Sequence, residues 1–306
     1  DLHSFPTRRS SDLHIAISNC AVADTPQPAP QKAVLVTGAS SGIGRNITER
    51  LAAAGYFVYA TARKDADLEE LRKIENVQAV RLDVTSPQDV SAAVEVITKA
   101  GRGLHGLVNN AGIGTGGAVM DSKQEEFELA MDINALGPVR MTRAFGPLII
   151  AAKGRIVNIS SVSGILAGKN TSAYAMSKHA VEAFTDSLAA EMEPVGVHVS
   201  AVEPGNYNSK IVHNAAARMG ITSRLNERPS DVEPDAVAAA VEHALFATDP
   251  KRRYLVVPNE PQARRTIRKQ IAQLVELNEG HVYSYDRATL IKMLDEALAK
   301  SRPRTQ

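Results

Sequence analysis

The stretch Tyr174-Ala175-Met176-Ser177-Lys178 places a phenol and an ammonium four residues apart. Residues at i and i+4 share a helix face, so the Lys178 charge can lie beside the Tyr174 hydroxyl. A free tyrosine ionises near pH 10, and a neighbouring cation favours its anion. To exchange a proton efficiently near pH 7 its pKa would have to fall by roughly 3, about 4 kcal/mol of differential interaction. A lysine on a wet surface does not supply that much. A desolvated site with a second positive charge could. Taken alone, the pair also fits any exposed helix.

Other residues keep it company. Thr37-Gly38-Ala39-Ser40-Ser41-Gly42-Ile43-Gly44 follows the apolar run Ala33-Val34-Leu35-Val36 and precedes a helix-like stretch from Ile43 to Ala54. Glycines between a strand and a helix N-terminus let backbone N–H groups approach a pyrophosphate, whose charge the helix dipole favours. A Gly-rich turn alone is weak evidence, because such turns are common. Farther on come Asn109-Asn110-Ala111-Gly112 after Leu107-Val108, then Asn134, then Ser160-Ser161 after the strand-like Arg155 to Ile159. Ser161 lies thirteen residues before Tyr174, and Pro204-Gly205 closes the strand-like Val199 to Val202. Each could be a turn or a cap. Their order and spacing together point to a single site.

These motifs resemble the classical short-chain dehydrogenase/reductase family, Rossmann-fold oxidoreductases that use NAD(P), over residues 32–258. Three residues separate Gly38 from Gly42, unlike the spacing of the extended, epimerase-like branch. The resemblance puts the catalytic tetrad on Asn134, Ser161, Tyr174 and Lys178, without substitution. It implies reversible hydride transfer between a nicotinamide and a carbonyl or alcohol carbon. Tyr174 would be the general acid/base, and Lys178 would hold the nicotinamide ribose and depress the Tyr174 pKa. Ser161 would hydrogen-bond the substrate oxygen, while Asn134 would keep a relay water behind Lys178. Cofactor-binding positions implied are Gly38, Ser40, Ser41, Gly42, Ile43, Gly44, Arg63, Asp83, Val84, Asn110, Ala111, Gly112, Tyr174, Lys178, Pro204, Gly205, Tyr207 and Ser209.

The choice of nicotinamide falls in Tyr59-Ala60-Thr61-Ala62-Arg63. An NAD site places a carboxylate here for the ribose 2′-hydroxyl. This chain has Ala62 and then Arg63, and an arginine can pair with a 2′-phosphate, a bond of about 1.5–3 kcal/mol. NADP is therefore expected, with NAD as the alternative, and Asp83-Val84 would flank the adenine. The bland reading of Arg63 is a solvated charge at a strand end.

Positioning these groups takes an α/β architecture. Short apolar runs alternate with helix-period segments from Lys32 onward, the pattern of a parallel sheet covered on both faces. Strands are predicted near 33–37, 56–60, 78–82, 106–109, 155–159, 198–202 and 254–257. Gly55 should end the first helix, and Thr85-Ser86-Pro87 reads as a cap with proline at the first helical position. The resemblance implies a single doubly wound Rossmann domain of seven parallel strands in the order 3-2-1-4-5-6-7, with a C-terminal helical extension. Residues 206–234 form an insertion where this family closes over substrate. Residues 259–306 hold two helix-like segments divided by Gly280. The first carries an apolar stripe at Ile267, Ile271, Leu274 and Val275 with a basic flank, and the second a stripe at Leu290, Ile291, Leu294 and Leu298. Among functional uses of that tail, a roof over the substrate cleft is favoured over a subunit contact or an anionic membrane surface. Simple packing on the domain is the bland reading.

Composition narrows the partners. The 306 residues are 44% hydrophobic with a net charge of +1, which supports a large core and gives no reason to invoke nucleic acid. No uncharged apolar run reaches the roughly 18 residues a membrane span needs. Lone Cys20 permits no intrachain disulfide, and none of the eight histidines has metal-ligand spacing, so no metal is expected. Residues 1–31 read as non-native sequence and a Pro-rich linker. Cys20 to Asp24 resembles a signal-peptidase site, so export stands as the alternative to a cytoplasmic location. The resemblance further implies a homodimer or homotetramer and a small carbonyl or alcohol substrate. Similarity to the family's steroid and retinoid dehydrogenases suggests an apolar one. Reduction of 3-oxoacyl thioesters uses the same tetrad, but the C-terminal extension argues against it. A non-catalytic NADP-sensing protein on this fold would be expected to lack Tyr174 or Lys178.

Overall fold

The computed structural model describes residues 31–218 and 231–301. The segment read as non-native or linker lies outside these residues apart from Gln31, and so do positions 219–230 of the expected substrate insertion.

Strand β1 (Ala33–Val36) is buried throughout. Val34 and Val36 face one core, while Ala33 and Leu35 face another. That alternation without a polar face marks a strand covered on both sides. It is followed by α1 (Gly42–Ala53), β2 (Phe57–Ala62), α2 (Asp65–Arg72), β3 (Val77–Arg81), α3 (Pro87–Lys99) and β4 (Gly106–Asn109). The second half continues with α4 (Gln124–Ala130), a π-helical turn over Met131–Leu136, α5 (Gly137–Ala151), β5 (Arg155–Ile159), α6 (Ser172–Met192) and β6 (His198–Pro204). Then come α7 (Ile211–Arg218), α8 (Asp235–Phe246), β7 (Arg253–Val256), α9 (Glu260–Asn278) and α10 (Arg287–Ser301).

The seven strands are parallel in the order β3-β2-β1-β4-β5-β6-β7, as the sequence implied. Ile47 and Leu51 of α1, Leu68 and Leu71 of α2, and Val237, Val241 and Leu245 of α8 fill one face. Ile97 of α3, Met141, Phe145 and Ile149 of α5, and Leu188 of α6 fill the other. Each such side chain contributes roughly 1.5–3 kcal/mol on burial. The strand order reverses between β1 and β4, and in open α/β sheets a crevice opens at that point beyond the carboxyl ends of the strands.

Local signals behaved as their chemistry requires. Gly55 follows α1 at φ +86. The Ser86 side chain caps α3 by accepting from Asp89 N at 3.2 Å, with Pro87 at the first position. Strand β2 runs on to Ala62, past the predicted end at 60, because Thr61 and Ala62 pair with Val80 and Arg81. Strand β6 likewise reaches Pro204, paired with Val256.

The tail departs from expectation. Helices α9 and α10 lie where the sequence put them, divided near Gly280. Asn259 caps α9 by accepting from Gln262 N at 3.1 Å, and Thr266 is its buried residue. The stripe does not roof the crevice: Ile267, Ile271 and Leu274 are all more than half exposed. Only the first turn of α9 reaches the site, where Gln262 Oε1 accepts from Asn206 N at 3.0 Å. The part of the expected roof that does lie over the crevice is α7, within the 206–234 insertion.

Candidate active site

The crevice at the β1/β4 reversal encloses about 440 Å³. Its floor at one end is the glycine turn. Gly42 has φ +55, a conformation that side chains resist. At Gly44 an added Cβ would stand 2.3 Å from both Gly38 O and Asn110 Nδ2, so the turn closes only around glycine. Ser41 precedes α1 without a side-chain cap, and no acidic residue sits in the first turn. The first N–H groups of α1 therefore face the crevice with a positive partial charge and no competing carboxylate. That is a cradle suited to a phosphate.

Thr37 joins this turn to the next. Its hydroxyl donates to Val108 O (3.2 Å) and accepts from the N–H groups of Asn110 (2.9 Å) and Ala111 (3.0 Å). Asn110 donates its side-chain amide to Thr37 O (2.8 Å) and Gly38 O (3.1 Å). Asn110 thus shapes the cradle with its side chain, while it also lines the crevice.

Arg63 and Asp83 meet at the rim, 3.5 Å apart. Asp83 also accepts from Thr85 N (2.9 Å) and Thr85 Oγ1 (2.7 Å). Burial works to raise its pKa, but the Thr85 bonds and Arg63 outweigh it and hold the carboxyl low. Lys64 stands beside Arg63 as a second cation on the lining, one the sequence reading passed over.

Tyr174, Ser161 and Lys178 converge at the other end. Ser161 ends the β5 connection, where its hydroxyl accepts from Ser163 N at 3.1 Å. Burial pushes the Tyr174 phenol above its ordinary value, and a hydrogen bond with Ser161 works the other way. Lys178 lies almost fully buried, donating to Ile159 O at 2.9 Å, with its Nζ 5.8 Å from the centre of the Tyr174 ring. Burial lowers its pKa to about 8, against the pull of Glu182. The expected depression of the Tyr174 pKa does not show in this structure: burial, which disfavours the phenolate, outweighs the Ser161 bond.

Every expected cofactor position lines the crevice, from the glycine turn through Arg63, Asp83, Val84, Asn110, Ala111 and Gly112 to Pro204, Gly205, Tyr207 and Ser209. Asn134 does not. It is buried behind, where its amide accepts from Ile113 N (2.8 Å) and donates to Ile113 O (2.9 Å) and Ser177 Oγ (3.0 Å). With the side chain committed, support for a water would fall to the Asn134 carbonyl. Pro138, four residues on, has no N–H to bond that carbonyl, and the helix takes a π-helical turn here. Ser177 ties the group together by donating to Tyr174 O at 2.7 Å. Its signal was its place inside the Tyr174–Lys178 stretch. His179 bonds Ala175 O at 2.8 Å and stays structural. Among the described residues no cluster of His, Cys, Asp and Glu could hold a metal.

Helix α7 covers the crevice with Ile211 and Asn214. Arg218 latches it, donating to Gly114 O (2.7 Å) and to Glu126 of α4 (2.9 Å).

Known proteins are similar to this chain over much of its length. A short chain dehydrogenase family model covers residues 32–220. Bovine (Bos taurus) mitochondrial D-beta-hydroxybutyrate dehydrogenase is 37% identical over 269 residues, 74% of this chain and 77% of that protein. Mouse (Mus musculus) retinol dehydrogenase 5 is 34% identical over 258 residues, 74% of this chain and 81% of its own. A short-chain dehydrogenase from Sphingobium yanoikuyae, solved in complex with NADPH, superimposes with a TM-score of 0.65 at 27% identity, covering 84% of this chain and 98% of that one.

Proposed function

Because this chain belongs to the short-chain dehydrogenase family and is an oxidoreductase acting on CH–OH and C=O groups with a nicotinamide cofactor, we propose that it uses NADP and that Tyr174 is its general acid/base. One observation carries the reading: Tyr174, Ser161 and Lys178 share one crevice with an uncapped helix N-terminus and Arg63. The cofactor supplies the hydride and, when oxidised, a positive charge. The cradle fits its pyrophosphate, since among the described residues no Ser41 cap and no first-turn carboxylate occupies the N-terminus of α1.

The rest is the chain's own work. Tyr174 gives its proton to the substrate oxygen during reduction or takes it during oxidation. Ser161 orients that oxygen through its hydroxyl. Lys178, fixed by Ile159 O, directs its remaining N–H groups toward the ribose position beside Tyr174. Asn134 holds the Ile113 loop in place and presents its carbonyl toward a relay water. Arg63 and Lys64 favour a 2′-phosphate, and Ala62 offers nothing to a free 2′-hydroxyl.

The substrate is a small carbonyl or secondary alcohol. Ile113 and Ile211 on the lining favour an apolar one, as does similarity to a retinol dehydrogenase. A homodimer or homotetramer belongs to the same proposal on family grounds. A cytoplasmic location rests on cysteine usage alone, and the bovine relative's name places that protein in mitochondria. No described helix is long and apolar enough to cross a membrane. The test is oxidation of NADPH against NADH by the purified chain over a panel of ketones, steroids, retinoids and acyl thioesters. Turnover with NADPH and a ketone supports the reading. Turnover with NADH alone overturns the cofactor assignment.

A further inference from the structure

Behind Lys178 lies a group of charges that the hydride chemistry does not use. Arg253 of β7 faces three carboxylates: Glu182 at 3.2 Å, Asp186 at 2.8 Å and Glu203 at 3.4 Å. Glu182 and Asp186 lie on α6, the helix of Tyr174 and Lys178. Glu203 is the penultimate residue of β6, next to Pro204-Gly205 at the crevice. Glu182 and Glu203 are both more than nine-tenths buried, and each has one oxygen, Oε1, without a hydrogen bond. The buried Ser160 hydroxyl also lacks a partner. It faces the same spot as Glu182: a Cβ on Gly164 would stand 2.7 Å from Ser160 Oγ and 3.0 Å from Glu182 Oε1. Glu182 therefore touches β7 through Arg253 and packs on the turn that follows Ser161.

Arg253 alone cannot neutralise the two buried carboxylates, Glu182 and Glu203, while it also pairs with the exposed Asp186. Leaving a second bare charge in the interior costs several kcal/mol, so a buried group takes up a proton instead. Burial, followed by the nearby Glu182, pushes Glu203 up to about 7 in spite of Arg253. Asp186 goes the other way: its bond to Arg253 holds it low, with Arg252 adding to the effect. Residues four apart are neighbours on one helix face, which puts Glu182 beside Lys178. It is the group that works to raise the Lys178 pKa against burial.

We propose that Glu182 is a positioning residue for this site: as counter-ion one helical turn beyond Lys178 it keeps that ammonium charged, and Glu203 holds a proton so that Arg253 grips both carboxylates without surplus buried charge. The proposal rests on the reading of Lys178 as a cofactor-binding ammonium. Without Glu182, the burial that already lowers Lys178 to about 8 would act unopposed, and the cofactor would lose a donor cation at a lower pH. Charged groups facing this cluster are Lys178 and Asp186 on α6, Glu203 on β6, and Arg252 and Arg253 at β7.

NADPH binding to the full chain, followed by nucleotide fluorescence from about pH 6 to pH 10, tests this without knowledge of the substrate. Wild type should lose affinity as Lys178 discharges, and Glu182→Gln should move that midpoint about one pH unit toward acid. A merely structural role would weaken binding without moving the midpoint. Lys178→Met separates the two readings. If it abolishes the alkaline loss while Glu182→Gln leaves the midpoint in place, the counter-ion role is overturned and the lysine reading stands. If Lys178→Met keeps the wild-type profile, the lysine reading fails and takes the proposal with it. Carboxyl NMR on the wild type covers the case in which Glu182→Gln does not fold. One glutamate should titrate near neutral pH and vanish from that range in Glu203→Gln. Absence of any carboxyl titration above about pH 6 would overturn the shared-proton arrangement.

Discussion

Arg218 of α7 meets Glu126 of α4 at 2.9 Å across 92 residues of sequence, and the same guanidinium donates to Gly114 O. Both partners are largely covered. This contact ties α7, which lines the crevice, to α4 and to the backbone next to Ile113. Glu126→Ala and Arg218→Ala should therefore raise the Michaelis constant for substrate more than that for NADPH. Equal effects on both constants would mean that the latch governs the whole fold and not the roof.

Tyr174→Phe should bind NADPH with unchanged affinity while turnover falls by about a hundredfold or more, the range of a lost general acid. Retention of more than about a tenth of wild-type turnover would show that another group carries the proton.

Arg63→Ala should weaken NADPH about tenfold, the low end for a charge-assisted bond, because the side chain is well exposed and already shared with Asp83. Adding Ala62→Asp should carry preference over to NADH. Equal catalytic efficiency of the wild type with both cofactors would remove the basis for the assignment.

Glu203 gives a pH signature in stability. Its folded value of about 7 lies above the ordinary carboxylate value of 4.5. Between those values the folded chain binds more protons than the unfolded one, so the contribution is full below about 4.5 and is lost as pH rises through about 7. Glu203→Gln cannot ionise and escapes that loss. Its melting temperature should exceed the wild type's above pH 7, by the equivalent of roughly 1–3 kcal/mol, and the difference should vanish near pH 4.5. A constant difference at all pH values would show a packing effect only.

Much of this was legible because the signals are local. The glycine turn needs positive φ at Gly42 and an absent side chain at Gly44, and both needs are written into the spacing. Tyr174 and Lys178 lie on one helix, so their separation in sequence fixes their separation in space. What escaped was long-range. Nothing near Arg63 announces that Asp83, twenty residues later, will share its charge. Nothing near Asn134 announces that Ile113 will occupy its amide. The tail misled because an apolar stripe says that a helix face can be covered without saying where. The insertion expected to share that role does cover the crevice, through Ile211 of α7.

The hydroxyl of Thr37 has a wider meaning. With three hydrogen bonds it bridges the turn after β1 to the turn after β4. Arg63 and Asp83 follow strands on one side of that seam, while strands on the other side lead to Ser161 and Pro204. The same seam carries the β1–β4 pairing and the Asn110 bonds to Thr37 O and Gly38 O, so a disturbance at Thr37 would reach both ends of the crevice together.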